Sequence, residues 1–234
     1  MMRKTIYSLS AISLMMASQV ALADWSATIT GASDYTFNGV SQTENDPALQ
    51  GSIDYAADNG FYAGSWASNV DFGDGTDLEW DFYVGQFRQL NNQLSVDYGI
   101  AYYSYHGASS SSDGNYFEAY TKFAYDSQLG TTEANFWYTW DYFGTDAGHV
   151  ISMLAHNYAL AEGHNLRLSV DASNSLDGDK FAWQADGKSY VHYRLAYQTS
   201  YSGFDFELAA EDTNLDSEYA DERLVLSVSK TFSL

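Results

Sequence analysis

The sequence lacks cysteine altogether and has a single proline, Pro47, among its 234 residues. Without cysteine there can be no disulfide, no thiolate metal site and no lipid-modified N-terminal cysteine. Basic residues are also scarce, because only 10 Lys and Arg stand against 31 Asp and Glu, for a formal net charge of -21. A nucleic-acid partner requires a basic surface, so this charge balance argues against one.

Long apolar runs are missing beyond the N-terminus, since no later segment approaches the ~18 consecutive apolar residues of a membrane-spanning helix. The N-terminus itself has the pattern of a secretory signal peptide. Arg3 and Lys4 precede a mostly apolar stretch at 6–20, and Ala-Leu-Ala at 21–23 forms a cleavage site. We expect residues 1–23 to be removed, although a membrane-anchoring helix is the alternative. A mature chain that crosses a membrane without helices must form a closed barrel.

Aromatic residues are abundant at 17%, yet the mean hydropathy is only -0.33. The stretch 204–208 shows how a high aromatic content is compatible with a low mean hydropathy, because Phe204, Phe206 and Leu208 alternate with Asp205 and Glu207. Successive side chains of a β-strand point to opposite faces, so this segment has one apolar and one acidic face. Transmembrane β-barrels have this pattern, with apolar residues towards lipid and polar residues towards the lumen.

The alternating pattern recurs about twelve times, in segments close to the ~9–11 residues that cross a bilayer at barrel tilt. Connections after even-numbered segments are tight and most of the others are longer, as in outer-membrane barrels. We therefore predict an all-β fold, a 12-stranded antiparallel up-and-down transmembrane β-barrel, as one domain over 24–234. Predicted strands include 25–37, 131–143 and 149–160, the last apolar on both faces and so not oriented. A β-sandwich or lipocalin-like barrel is the soluble alternative.

Three blocks of sequence carry a family resemblance. They read SDYTFNGVSQTENDPALQG at 33–51, DNGFYAGSWASNVDFGDG at 58–75 and LEWDFYVG at 78–85. They closely resemble the TorF-like porins, a family of small proteobacterial outer-membrane proteins. The family often has Arg before the first glycine of this region, where this chain has Asn38. The resemblance implies a small outer-membrane barrel of a Gram-negative bacterium and supplies no solute.

The inward faces of the predicted strands are mainly acidic. Counting inward positions gives an excess of carboxylates over basic residues, and rings of carboxylates raise the local cation concentration. We therefore expect a passive, narrow, cation-preferring channel for small solutes; a closed lumen filled by paired charges and aromatic rings is the alternative. The predicted pore-lining residues are Asp34, Asp54, Glu79, Asp81, Asp97, Glu118, Lys122, Arg167, Asp171, Arg194, Asp205, Glu207 and Arg223.

The outward faces indicate the partners of the barrel. Aromatic residues at lipid-facing positions predict girdles at the membrane interfaces, in contact with outer-membrane lipids and lipopolysaccharide. The predicted girdle residues are Trp25, Trp80, Tyr98, Tyr138, Trp140, Tyr142, Tyr193 and Tyr197. The last segment alternates and ends Phe232-Ser233-Leu234, similar to the terminal strand by which the outer-membrane assembly machinery recognises its substrates.

The sequence offers little for catalysis. Ser152 and His156 share a face of one predicted strand, as a lipid hydrolase of the outer membrane would need, but no G-x-S-x-G motif or orienting third group is present. Asp71, Asp74 and Asp77 fall in one loop without the EF-hand pattern, so solvated acids are a better interpretation than a Ca²⁺ site. We predict no enzyme activity, cofactor or metal. A non-conducting structural or adhesive barrel stays the main alternative to a channel.

Overall fold

The computed structural model describes residues 24–185 and 187–234, and the predicted signal peptide (1–23) lies outside them. Nearly all of the described chain is β-strand or loop, with short 3-10 turns at Ser111–Gly114 and Tyr142–Gly144. No helix within the two described ranges is long and apolar enough to span a bilayer. The strands are β1 (Asp24–Ala32), β2 (Thr36–Phe37), β3 (Val40–Ser41), β4 (Ala48–Ala56), β5 (Phe61–Asn69), β6 (Leu78–Gln89), β7 (Leu94–His106), β8 (Tyr116–Ser127), β9 (Gly130–Thr139), β10 (His149–Ala161), β11 (His164–Ser175), β12 (Ser189–Tyr201), β13 (Phe204–Thr213) and β14 (Arg223–Ser233).

All strands except β2 and β3 form one closed antiparallel barrel of 12 strands, which confirms the predicted fold class. β1 closes it by pairing with β14 on one side and with β4 on the other. Closure leaves no unpaired sheet edge, and a bilayer requires this because lipid offers no hydrogen-bond partner. β2 and β3 pair only with each other, within the loop between β1 and β4.

The two faces of the barrel wall differ in chemistry as the alternation predicts. On β6, Trp80 and Phe82 are 44% and 43% exposed, whereas Glu79 and Asp81 are 2% and 0% exposed. A soluble barrel would show the reverse, because water would then contact the outer wall. The predicted girdle residues that are exposed on the outer face are Trp25, Trp80, Tyr98, Tyr138, Trp140, Tyr193 and Tyr197.

The connections alternate in length, and this divides the barrel into two ends. At the short-turn end, tight turns join β4 to β5 and every second strand pair after it. At the other end, which we call the long-loop end, the connections are 33–47, 70–77, 107–115, 140–148, 176–188 and 214–222. The start of β1 and the end of β14 lie at the short-turn end, where the backbone N–H of Leu234 donates to the carbonyl of Trp25 at 3.0 Å.

Two of the predicted strands extend beyond the ends of the corresponding strands in the structure. The strand predicted at 25–37 ends at Ala32, and the one predicted at 131–143 ends at Thr139. Tyr142, predicted to face lipid, is instead 1% exposed. The reason is a turn that period-two counting cannot detect, because Phe143 and Gly144 both have positive φ, at 50° and 66°. This left-handed pair directs the chain over the barrel mouth.

The strand that could not be oriented from sequence has a clear inner face. In β10, Ile151 and Ala155 are buried inside the barrel, and Leu154 is 57% exposed outside. Ser152 and His156 share the outward parity of Leu154. Ile151 and Met153 of this inner face line a cavity beside the loop between β1 and β4.

Glycines on β6 and β7 make room for tyrosine rings along the inner wall. A Cβ at Gly85 would collide with the ring of Tyr62, and a Cβ at Gly99 would collide with the hydroxyl of Tyr120. Gly85 and Gly99 are direct partners across the β6–β7 pair, so together they form a flat patch. The two tyrosines lie across this patch and join their hydroxyls at 2.5 Å.

Candidate functional site

The loop 33–47, which we call the inner hairpin, folds into the barrel. Its tip turns at Asn38 and Gly39, which both have positive φ (49° and 81°), as a two-residue hairpin turn requires. Gly39 lies so close to His192 and Thr213 that a Cβ would collide with both. Asn38 donates from its side chain to Asp171 at 2.9 Å, and Tyr190 donates to the Asn38 carbonyl at 3.0 Å. The tip is therefore held against the inner wall of β11–β13.

The base of the inner hairpin is held by Asp34. Its carboxylate accepts hydrogen bonds from the hydroxyls of Ser41 and Thr43, at 2.7 and 2.9 Å. It also forms an ion pair with Arg223 of β14 at 2.7 Å. Because these bonds reach β3, the segment just after it and the barrel wall, Asp34 joins the loop to the barrel.

One side of the lumen, which we call the tyrosine wall, lies on β5–β8. Tyrosine hydroxyls there donate to inward-facing carboxylates, so the phenol rings cover the acids. The pairs are Tyr62 with Asp97 (2.5 Å), Tyr103 with Glu118 (2.9 Å), Tyr105 with Glu79 (3.3 Å) and Tyr83 with Asp54. Asp81 is fully buried between these pairs, and neither of its carboxylate oxygens has a hydrogen-bond partner among the described residues.

The opposite side, which we call the ion-pair wall, lies on β9–β13. Arg167 binds Glu133 in bidentate fashion, with nitrogen–oxygen distances of 2.7 and 3.0 Å. Arg194 bridges Glu207 at 2.5 Å and Glu211 at 3.1 Å. Such pairs satisfy charges that would be costly to bury alone.

His192 joins this network to the inner hairpin. Its Nδ1 lies 2.8 Å from Asp171, the residue that also accepts from Asn38. Its Nε2 lies 3.6 Å from Glu211. The hairpin tip and the ion-pair wall therefore share Asp171.

A cavity lies beside the inner hairpin. Hairpin residues 36–39 form one side, and the ion-pair wall with Tyr103, Tyr120 and Trp137 forms the rest. Of the predicted pore-lining residues, Lys122, Arg167, Asp171 and Arg194 line this cavity.

The other predicted pore-lining residues occupy different environments. Asp54, Glu79, Asp97 and Glu118 contact tyrosine hydroxyls, and Asp81 is buried between them. Elsewhere, Asp34 and Arg223 hold the inner hairpin, Glu207 binds Arg194, and Asp205 accepts from Ser200 at 2.5 Å near the short-turn end. Their role in lining a conducting pore stays a prediction.

Sequence reasoning did not identify His192, Asn38 or the covering tyrosines as site residues. The Asn38-Gly39 dipeptide is a hairpin signal, and it was available in the sequence. Its inward direction depends on contacts with β11–β13, some 130 or more residues later in the chain. Local patterns hold no information on such contacts.

Aromatic side chains converge at the long-loop end and form what we call the aromatic cap. Tyr142 stacks on His149 with ring centroids 4.1 Å apart, and Trp183 contacts Tyr190 at 4.6 Å. Phe181 lies 5.1 Å from both Tyr142 and Trp183. Burial among these rings raises the pKa of Tyr142 well above its ordinary value. The cap brings together the loops 140–148 and 176–188 over the mouth of the barrel.

The side chains considered for catalysis or metal binding have other partners. The ring nitrogens of His156 lie 2.9 Å from the Thr132 hydroxyl and 3.2 Å from the Leu129 carbonyl, so both have partners other than Ser152. Asp74 accepts from the backbone N–H of Thr76, and this bond lowers the pKa of its carboxyl. No group of three or more His, Cys, Asp or Glu in residues 24–185 and 187–234 is arranged to hold a metal ion.

Comparison with solved structures finds the same barrel in two porins. The KdgM porin superposes with a TM-score of 0.61 at 9% identity, over 88% of this chain and 99% of that one. The NanC porin superposes with a TM-score of 0.58 at 10% identity, over 88% of this chain and 98% of that one. At this identity the likeness establishes the fold alone. A search of curated proteins finds no match to the chain.

Comparison with family models gives one match, over residues 17–232, to "Bacterial protein of unknown function (Gcw_chp)". The naming of the chain as a TorF-like porin stays a prediction, since this match carries a different description. Because the matched range covers most of the chain, the protein belongs to the Gcw_chp family.

Proposed function

We propose that the mature chain is a porin-like channel for passive diffusion of small solutes in the outer membrane of a Gram-negative bacterium. A cleaved leader at 1–23, export through the periplasm and a single barrel domain at 24–234 belong to this proposal. The observation that carries it is the charged cavity beside the inner hairpin. Charged groups are costly to bury in a dry space, so such a cavity favours a hydrated path narrowed by the hairpin.

The similarity to small porins supports the same function. KdgM and NanC match this barrel over nearly their whole length, so a 12-strand barrel of this size occurs among porins. KdgM has also been solved in complex with disordered oligogalacturonate, which is an acidic sugar chain. That complex supports solute entry into a barrel of this kind.

The outer face and the last strand supply the other partners in the proposal. The exposed apolar wall would contact outer-membrane lipids, and the long-loop end would face lipopolysaccharide. β14 ends with Phe232, which is 42% exposed on the outer face. This strand would be the signal for the outer-membrane assembly machinery.

We further propose that the channel prefers cations. The predicted pore-lining set holds nine carboxylates and four basic residues. Fixed negative charge in a narrow lumen raises the concentration of cations and lowers that of anions. The tyrosine wall contributes most to this excess, since it groups Asp54, Glu79, Asp81, Asp97 and Glu118.

A planar bilayer experiment tests both parts of the proposal. The mature protein is reconstituted under a tenfold KCl gradient, and the reversal potential is read, for which ideal selectivity gives ~59 mV. We expect discrete steps with a reversal potential of cation-selective sign, reduced when Glu79, Asp81 and Asp97 are neutralised together. An anion-selective sign would refute the cation preference, and a folded barrel without conductance would refute the channel.

The second candidate is a non-conducting structural or adhesive barrel. The aromatic cap favours it, because Tyr142, Phe181 and Trp183 pack over the mouth of the lumen. Absence of conductance from a folded barrel would support this candidate, and the search would then move to ligands of the acidic outer loops.

A further inference from the structure

The charges that face the cavity differ from those of the lumen as a whole. Lys122, Arg167 and Arg194 line it, while Glu133 and Glu207, which pair with the two arginines, do not. The lining carboxylates are Asp171 and Glu211, and both already contact His192. Three basic side chains therefore reach this cavity within a lumen that is acidic overall, and the two arginines do so while held in ion pairs.

Asn135 adds a second observation at the same place. It lines the cavity, is 3% exposed, and lies directly opposite Lys122 in the β8–β9 pair. Its amide nitrogen donates to Glu133 at 3.2 Å, which fixes the orientation of the side chain. Its carbonyl oxygen, Oδ1, has no hydrogen-bond partner among the described residues. A buried acceptor without a donor is unfavourable, so the site calls for a hydroxyl or N–H from a ligand or from water.

Aromatic rings complete the lining. Lys122 Nζ lies 4.8 Å from the ring centroid of Tyr120 and 5.6 Å from that of Trp137. Both rings line the cavity, so an apolar face is available next to the ammonium group. Pockets that combine aromatic walls with a few polar groups hold small ligands in one orientation.

We propose that this cavity is a binding subsite for a sugar acid, a hydroxylated monocarboxylate of about the size of a uronic acid. The carboxylate faces Lys122 and Arg167, a hydroxyl donates to Asn135 Oδ1, and the carbon face of the sugar rests on Trp137. The subsite rests on the proposed function, since it names a solute class for the same lumen. Selectivity among inorganic ions reflects the charge of the whole lumen, whereas binding here reflects the local basic groups.

Isothermal titration of the folded mature protein in detergent, at low salt, tests the subsite without requiring conductance. The titrants are glucuronate, its neutral match glucose and the cationic glucosamine. We expect saturable binding of glucuronate and binding about tenfold or more weaker for the other two, since a charge-assisted hydrogen bond accounts for about a tenfold difference. Equal binding of glucose and glucuronate, or absence of glucuronate binding, overturns the proposal.

Lys122→Gln supplies the residue-level test, and Lys188→Gln is its matched control because Lys188 is exposed in the loop 176–188. Glucuronate binding should fall about tenfold in the first variant, stay unchanged in the control and return in Lys122→Arg. Unchanged glucuronate binding in a folded Lys122→Gln protein overturns the assignment. If that variant does not fold, the titration of the unsubstituted protein with the three sugars decides whether the subsite exists. Conductance without sugar-acid binding refutes the subsite alone, whereas binding without conductance refutes the channel alone.

Discussion

Replacing Asp34 with alanine should release the inner hairpin from the barrel wall. The carboxylate accepts from Ser41, Thr43 and Arg223, at 2.7, 2.9 and 2.7 Å. Arg223 also donates to the Asn45 side chain at 2.8 Å, but of these two loop side chains only Asp34 also accepts from Ser41 and Thr43. The change removes all three bonds and leaves the strand pairing of the barrel intact.

The size of the effect follows from the charge on the acceptor. A hydrogen bond to an ionised group contributes about 1.5–3 kcal/mol to stability. Removing all three costs less than three times that amount, because the donors that are freed form hydrogen bonds with water. The expected net loss is about 3 kcal/mol of docking free energy. Since 1.4 kcal/mol corresponds to a factor of ten, the undocked population should rise about 100-fold.

A single introduced thiol measures that population, because the chain has no cysteine. Val40 is partly buried and packs against the cluster that includes Tyr190 and Leu215. In a Val40→Cys background, the rate of labelling by a membrane-impermeant maleimide should rise about 100-fold when Asp34→Ala is added. Single-channel conductance should rise in parallel, since the hairpin narrows the lumen.

Asp205→Ala serves as the control for loss of an interior carboxylate. Its carboxylate accepts from the Ser200 hydroxyl at 2.5 Å, near the short-turn end and away from the hairpin. Labelling of Val40→Cys should be unchanged in this variant. If Asp34→Ala also leaves both labelling and conductance unchanged, the hairpin is not held by this carboxylate and the reasoning fails.

Three further changes probe the rest of the lumen. Gly99→Val should lower the free energy of unfolding of the barrel by about 1–3 kcal/mol in a denaturant titration, because the new side chain would collide with a tyrosine hydroxyl and a backbone carbonyl. Gly31→Ala, with open space around the new methyl group, should change that free energy little. Arg167→Gln should lower the free energy of unfolding by about 3–5 kcal/mol, because it leaves the Glu133 carboxylate without its charge partner. Adding Glu133→Gln should restore much of that free energy. A coupling energy near zero in the double-mutant cycle would contradict the pairing. Tyr142→Ala should raise conductance by opening the aromatic cap, and equal conductance would place the restriction elsewhere.

The barrel could be predicted from the sequence because its signal is local. Alternation such as that of Phe204, Phe206 and Leu208 with Asp205 and Glu207 fixes which side of a strand faces lipid. Strand number and loop lengths can be counted along the chain, and closure follows because a bilayer tolerates no free sheet edge. The inward direction of the charged residues follows from the same parity.

The strand ends at Ala32 and Thr139 could not be predicted in this way. At both places the chain leaves the wall by turning, while its residues continue to alternate between apolar and polar. Tyr142 keeps a lipid-facing parity but lies in the aromatic cap, because the positive φ of Phe143 and Gly144 overrides the count. Tertiary packing on His149 and Phe181 selects that backbone.

By itself, the sequence determined the fold class, the strand count and the chemistry of each face, all of which depend on neighbours along the chain. Only the tertiary structure decided how the interior charges are used. It sets Asp54 and Asp97 beneath tyrosine hydroxyls, pairs Arg167 with Glu133, and folds the hairpin at Asn38 onto Asp171. These contacts join residues up to 189 positions apart, as between Asp34 and Arg223, and they form only when the closed barrel brings its strands together.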